Sequence, residues 1–485
     1  MRRLRLLQSL FFGVFVLPLL SLLTYLGRME LPPFSEWKST LVWSSIQSAT
    51  SASISLVIGF FLALLLLSSG RRWTKWLMLA LLLPGFFPPL MIVLTGMQVT
   101  DWLGLSSLGL GVVVFCHALM NVGLVAVGVY QLVVMRLKGM IELATVESAP
   151  YKMIVGSIIL RRLWRELAIL FFLVFSMCFT SFSIPLILGG DQTMSFEVLV
   201  YQKVRVYNDW NQALFYVFFE MFFVSCFIWL LPKQDDESVV TELLQFGRWP
   251  MPMVFAFCLA PLLLVLFSEL AGVLPALTQL HLLSELGGHF WVLSFQSLYL
   301  GFAASFVSVL LCWCMGYLSP WGKLRKVFQG LSAPSAVVVG FGLMLLFGDQ
   351  PYLQLVSLVL GLSILFFPYL YRWQLDPALQ RLQSQVEMAK VMGAGRSQIF
   401  WDILRPQLVS PVGFIAGVMG FWVIGEFALV QLMTGKELTL AVLAQGLLER
   451  YRLDLGSIVI LWTITLGFVN WLFIGGVVRV FSHRS

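Results

Sequence analysis

Glu142-Leu-Ala-Thr-Val-Glu-Ser-Ala149 and Glu387-Met-Ala-Lys-Val-Met-Gly-Ala394 lie 245 positions apart in a chain of 485 residues. Ile158 follows Ser148 by ten positions and Ile403 follows Gly393 by ten, so a second anchor repeats with the same offset. Both segments are polar interruptions between long apolar runs. In each, small residues recur four apart, Ala144 with Ser148 and Ala389 with Gly393. That spacing on a short helix puts the pair on one face, which another backbone can approach closely. Glu142 and Glu387 come early in the same helix, where a negative charge suits the dipole. Pro150 in one copy, and Gly393 with Gly395 in the other, are expected to break the helix. Ser397 is expected to cap the helix that follows. Ala149 and Ala394 complete the matched set. Two equivalent loops point to a surface where one kind of partner pushes on two halves alike.

The surrounding composition decides the setting. The chain is 59% hydrophobic and 11% charged, with a mean hydropathy of +0.90, whereas a soluble domain carries roughly a quarter charged residues. About 20 apolar residues cross a hydrocarbon core about 30 Å thick. Apolar runs of that order fall near 6–27, 41–67, 76–98, 108–134, 166–188, 212–231, 253–274, 290–318, 327–347, 353–371, 407–433 and 455–478. The expected fold is therefore an all-α polytopic membrane protein of about twelve transmembrane helices. They divide into two homologous six-helix halves, 1–231 and 250–485, joined by an acidic cytosolic linker at 232–249.

Charge placement orients the chain. With the N-terminus inside, most lysines and arginines fall in the tails and even-numbered gaps. The outer gaps keep Arg28, Lys38, Lys203, Arg205, Lys436, Arg450 and Arg452. The positive-inside rule then places both termini in the cytoplasm. The first apolar run follows Arg2, Arg3 and Arg5 as in a signal peptide, but it is long and lacks a small-x-small cleavage site, so it reads as a retained helix. The net charge of +7 is accounted for by this topology and calls for no nucleic acid. Cys116, Cys178, Cys226, Cys258, Cys312 and Cys314 all lie in apolar runs, without a metal or redox spacing, and read as packing residues.

The duplication extends beyond the loops. Ile46-Gln47-Ser48 matches Phe295-Gln296-Ser297, and Leu83-Pro84 matches Ala333-Pro334, at offsets of 249 and 250. An even number of helices per half makes this a parallel repeat about an axis along the membrane normal, with the pathway near that axis.

The spacing E-x-A-x-x-x-G, nine residues, then I-x-x-P resembles the EAA loop of permease subunits of binding-protein-dependent ABC importers. Glu387, Ala389, Gly393, Ile403 and Pro406 fit it fully; the first copy departs with Ser148 for the glycine and Arg161 for the proline. Further blocks resemble fused two-half permeases for thiamine and ferric iron, closest to the thiamine type. They are Phe175 to Phe182, Leu186 to Gly190, Phe196-Glu197-Val198 with Tyr201-Gln202, and Ile424-Gly425-Glu426-Phe427. The resemblance implies a type I importer permease of a bacterial inner membrane. Each EAA loop would seat in one of two copies of a cytosolic ABC ATPase subunit, which would bind the ATP and Mg. A periplasmic solute-binding protein would deliver the cargo, thiamine or a related small cation, with ferric iron as the alternative. The chain itself would bind no cofactor and catalyse nothing: Gly316 to Gly322-Lys323 lacks P-loop spacing and its Ser/Thr. No metal or acid–base cluster stands out along the sequence.

Among pathway candidates, Glu426 is an intramembrane acid suited to a cation, or to a structural hydrogen bond. Glu220 reads as a structural or lipid-interface residue among phenylalanines. His117 and Asn121 share a face and suit an interhelical hydrogen bond better than a pore lining. Gly189-Gly190 is expected to break the fifth helix as a gate or docking turn, with Phe182, Leu186 and Phe427 helping to close the pathway. A competing class, a proton-coupled secondary transporter using Glu220 and Glu426, has no need of two matched docking loops.

Overall fold

Long apolar runs, interrupted by glycine, proline and clustered charge, become helices. The computed structural model describes residues 2–69, 71–190, 194–230, 252–318, 335–348 and 351–482, and no strand occurs among them. In chain order the helices are α1 (Arg2–Thr24), α2 (Phe34–Ser68), α3 (Arg71–Phe86), α4 (Pro89–Trp102), α5 (Leu110–Val146) and α6 (Arg161–Phe179). Next come α7 (Ser183–Leu188), α8 (Phe196–Tyr201), α9 (Trp210–Leu230), α10 (Pro252–Thr278), α11 (Gly287–Leu318) and α12 (Ala336–Phe347). The last are α13 (Pro351–Leu370), α14 (Asp376–Val391), α15 (Arg405–Gly425), α16 (Ala428–Thr434), α17 (Leu440–Glu449) and α18 (Leu453–Ser482). The expected linker at 232–249, the Ala333-Pro334 match, and Gly322 and Lys323 lie outside the described residues, as does the side chain of Cys258.

Among the described residues, six helices are long and apolar enough to cross a membrane, or seven if one bent pair counts as a single span. This is a membrane-embedded helical protein. The bent pair is α3 and α4, which meet at 94°, where the sequence had suggested one span over 76–98. Pro88 and Pro89 explain the bend, since each lacks an N–H and disfavours helix in the residue before it.

The chain forms two compact units. One comprises Leu31–Val200 and Phe215–Thr278. In it α2 packs along α5 and α6, α3 and α4 lie on α5, and α10 packs on α4. The α2 face that enters this core is polar but small: Ser44, Gln47, Ser48, Ser51 and Ser55 are all buried. Small side chains let helices approach until backbone and side chain touch. Gly59 lies against Val125 and Gly123 against the Leu81 carbonyl.

The other unit comprises Met1–Glu30, Tyr201–Leu214 and Gln279–Ser485. Its centre is α15 between α11 and α18, with α1 on α12 and α17 on α18. Ser21 Oγ donates to the Gly342 carbonyl at 2.6 Å. Ser305 Oγ donates to the Ala416 carbonyl at 2.7 Å, beside Gly420, whose missing side chain makes room for Asn470. Each unit thus combines segments from the early and the late parts of the chain, because the first helix of each apolar series packs in the other's unit.

Of the cysteines, Cys116, Cys178 and Cys312 are buried as packing residues, Cys226 is half-buried, and Cys314 is exposed.

Candidate functional site

Both repeated loops are helix terminations with the same hydrogen bonds. In the first, α5 runs to Val146 and the chain turns left-handed at Ser148, with φ of 57°. Ala149 N donates to Ala144 O at 2.9 Å and Ser148 N to Thr145 O at 3.1 Å. In the second, α14 runs to Val391 and Gly393 is left-handed, with φ of 86°. Ala394 N donates to Ala389 O at 2.9 Å and Gly393 N to Lys390 O at 3.0 Å. This is the Schellman arrangement, which satisfies the last orphan carbonyls of a helix. Each turn then leads through a single helical turn into a wide, π-type segment, Ile154–Leu160 or Ile399–Leu404, and on into a long apolar helix. Every one of these backbone bonds recurs at the sequence offset of 245.

Three expectations change here. Ala144 and Ser148 do not share a helical face, nor do Ala389 and Gly393, because the fourth position is the stop itself. Ser148 rather than Pro150 ends the first helix, and Pro150 starts the next segment in extended backbone. Ser397 lies inside the turn Arg396–Gln398, whose N-cap is Gly395 with no side-chain bond. The turn is held instead by Arg396, whose Nε donates to the Tyr317 carbonyl at 2.8 Å and whose Nη2 reaches the Leu318 carbonyl. There the guanidinium closes the C-terminal end of α11, where a cation is favoured.

Neither turn ends a short surface helix. At 37 residues α5 is about 55 Å long, far more than the hydrocarbon thickness, so its last turns stand beyond the apolar layer. The helical stretch Leu353–Val391, at 39 residues, does the same. The inward side of the first turn carries Ala144, which is buried. Its outward side carries apolar groups: Leu143 and Val146 are 60% and 82% exposed, and their counterparts Met388 and Val391 are 67% and 89% exposed. Glu142 and Glu387 are exposed beside them, Glu387 accepting from Gln383 Nε2 at 2.8 Å. These apolar knobs went unnoticed in the sequence, although Leu143/Met388 and Val146/Val391 keep the same offset. Ser148→Gly should raise the melting temperature of the purified protein, the equivalent of about 1 kcal/mol, because a left-handed backbone disfavours any Cβ.

The pathway candidates also fall on matched breaks. α6 ends at Phe179 and α7 starts at Ser183, so the fifth helix breaks at Thr180–Phe182, earlier than Gly189-Gly190. Gly190, at φ 63°, marks the end of α7 instead. α15 ends at Gly425 and α16 starts at Ala428, and Gly435, at φ 60°, ends it. Phe182 and Phe427 occupy the corresponding place before each short helix. Both are buried, and their carbonyls accept from Leu186 N at 3.0 Å and Gln431 N at 2.7 Å. Leu186 is half-buried, Gly189 buried and Gly190 exposed.

The breaks differ in chemistry. Glu426 is buried, and its Oε1 accepts from Ala428 N at 2.8 Å and Leu429 N at 3.3 Å. It therefore caps α16, satisfying donors that the helix start leaves orphaned. Of the two expectations for this acid, the structural hydrogen bond is present. Glu426→Ala should lower stability by about 1 kcal/mol through loss of the cap. Glu426→Gln keeps an acceptor and should cost less, as thermal unfolding in detergent would register.

His117 and Asn121 are both buried on α5. Asn121 Nδ2 donates to the His117 carbonyl at 2.7 Å and to Cys178 Sγ at 3.6 Å, the latter an interhelical contact to α6. Glu220 is not at a lipid interface: it is 1% exposed, and Glu197 is fully buried as well. Among the described residues no group of three or more His, Cys, Asp and Glu side chains is placed to hold a metal. No family model matches the chain, nor does any curated protein or solved structure.

Proposed function

We propose that this chain is the transmembrane permease subunit of an ATP-driven, binding-protein-dependent importer, built as two homologous six-helix halves with twelve spans. The single observation that carries the reading is the pair of helix stops with matching hydrogen bonds, one in each compact unit, that present exposed apolar residues at equivalent positions. An exposed apolar knob at a polar helix end is explained by a partner that covers it. Two knobs of one geometry suit two copies of one partner, a cytosolic ATPase subunit that would bind the ATP and Mg. The broken helices α6–α7 and α15–α16 support a transport role, since irregular backbone at membrane depth is tolerated where it lines a cavity or is buried in protein. A solute-binding protein outside the cell would supply the cargo. The inner membrane is proposed on the family resemblance, and cytoplasmic termini on the positive-inside distribution. Thiamine or a related cation is the proposed cargo on the sequence resemblance, and ferric iron is the alternative.

The test is a photo-crosslinking residue at Val146 and, separately, at Val391, in native membranes, with the crosslinked partner identified by mass spectrometry. Both positions should crosslink to the same ATP-hydrolysing subunit, and proteoliposomes holding the complex should take up cargo only with ATP. Uptake driven by a pH gradient without any ATPase would replace this reading with a secondary transporter.

A further inference from the structure

Arg161 stands where the second loop carries Pro406, and docking of the two turns gives it no task. It opens α6 in the run Arg161-Arg162-Leu163-Trp164-Arg165-Glu166. At roughly 100° per residue, Trp164, Arg161, Arg165 and Arg162 follow one another around about 160° of the helix. All four are exposed, Trp164 at 60%, while Leu163 on the opposite side is buried. Arg165 Cζ lies 5.4 Å from the centre of the Trp164 ring, a stacking that leaves the donor edge of a guanidinium open. Among the described residues, none of the three arginines is in an ion pair. The acid on the same turn, Glu166, is held by Arg136 of α5.

The duplication separates what packing requires from what is added in this copy. The counterparts at the offset of 245 are Pro406, Gln407, Leu408, Val409 and Ser410. The inward leucine is kept, Leu163 and Leu408 being 1% and 0% exposed, but the second copy has no charge at the three arginine positions. Its nearest cation, Arg405, falls one position earlier in the repeat and covers Trp401. Like charges three and four apart on a helix repel, so the cluster in the first copy favours an anion beside it. Farther along α6 the side that carries Arg162 stays exposed and turns apolar. Leu173 and Met177 are 44% and 42% exposed, and Leu173 lies within about 20° of Arg162 around the helix. The rise between those two residues is about 17 Å, close to half of a hydrocarbon core about 30 Å thick. With the arginines at headgroup level, the exposed stripe therefore reaches mid-bilayer, and Trp164 lies at the depth where indole rings collect.

We propose that the start of α6 is a binding site for one anionic phospholipid, its phosphate held by Arg161, Arg162 and Arg165 and its acyl chains laid along Leu173 and Met177. Guanidinium groups suit a phosphate because their N–H forks match its oxygens. An acidic surface on a soluble protein would satisfy the charge but not the apolar stripe that continues from it. The inference rests on the membrane setting alone and holds whether or not the chain is an importer.

Native mass spectrometry of the full chain released from detergent tests it, with phosphatidylglycerol and phosphatidylcholine of the same acyl chains supplied together. Wild type should retain the anionic lipid in preference. The triple variant Arg161→Gln, Arg162→Gln, Arg165→Gln should bind it more weakly, by roughly fivefold for each arginine removed. Arg405→Gln, at the equivalent turn of the second copy, should keep wild-type binding. A photo-crosslinking residue at Trp164 in native membranes should capture lipid, and this arm decides even if the triple variant folds poorly. Equal retention of the two lipids, an undiminished preference in the triple variant, displacement of the lipid by millimolar inorganic phosphate, or capture of protein at Trp164 would each overturn the proposal.

Discussion

On the importer reading proposed above, Gly393→Val is expected to reduce ATP-driven uptake by roughly tenfold while the protein still inserts and folds. Gly393 sits at φ 86°, and a Cβ built there meets nothing within 4 Å. The cost is therefore confined to the backbone, where a left-handed residue with a Cβ loses about 1–2 kcal/mol and a β-branched one fits worst. A penalty of that size shifts the turn away from its native form by roughly tenfold, since 1.4 kcal/mol is a factor of ten. Met388 and Val391 would then no longer be held at the helix end that presents them. Gly393→Asn, which tolerates the left-handed region, should retain most transport. Proteoliposome uptake at matched protein level checks both, and normal transport by Gly393→Val would show that the turn is not the point of coupling.

Gly123→Leu should be the most damaging single change to stability in the unit that contains it. A Cβ at Gly123 would overlap the Leu81 carbonyl, with Leu82 N only 3.3 Å away. The obstacle is backbone, which cannot rotate aside as a side chain would, so α3 must be pushed off α5. Overpacking of this kind costs about 3 kcal/mol. Gly111→Leu on the same helix, with nothing within 4 Å of its Cβ, is the matched control and should melt near wild type. Equal melting temperatures for the two variants would mean that α3 and α5 do not approach as closely as described.

Some of this was legible in the residues alone. Apolar length and charge placement required membrane helices, because hydrocarbon admits no unsatisfied backbone and no unpaired charge at low cost. The offset of 245 was also readable, because a helix stop depends on local features: a small residue that tolerates φ above zero, and a proline or glycine beyond it. What the residues at Ser148 and Gly393 did was misread as a packing face, since the spacing i, i+4 is the same whether the second residue continues a helix or ends it.

Other features were decided by tertiary structure. Glu426 could have faced cargo or backbone, and only the break at Phe427 supplies the amide donors that hold it. Glu220 looked like an acid at a lipid interface among phenylalanines, and only the packing of distant segments buries it to 1% exposure. The exchange of first helices between units is equally invisible, because an apolar helix carries no mark of which neighbour it will meet. The sequence by itself determined the membrane setting of this protein and its matched pair of turns, both set by local chain chemistry, while several helix ends fell elsewhere than the residues suggested. The tertiary structure alone decided which helices lie together and which acids are buried, because van der Waals fit among lipid-like side chains depends on shape across distant segments rather than on pattern along one.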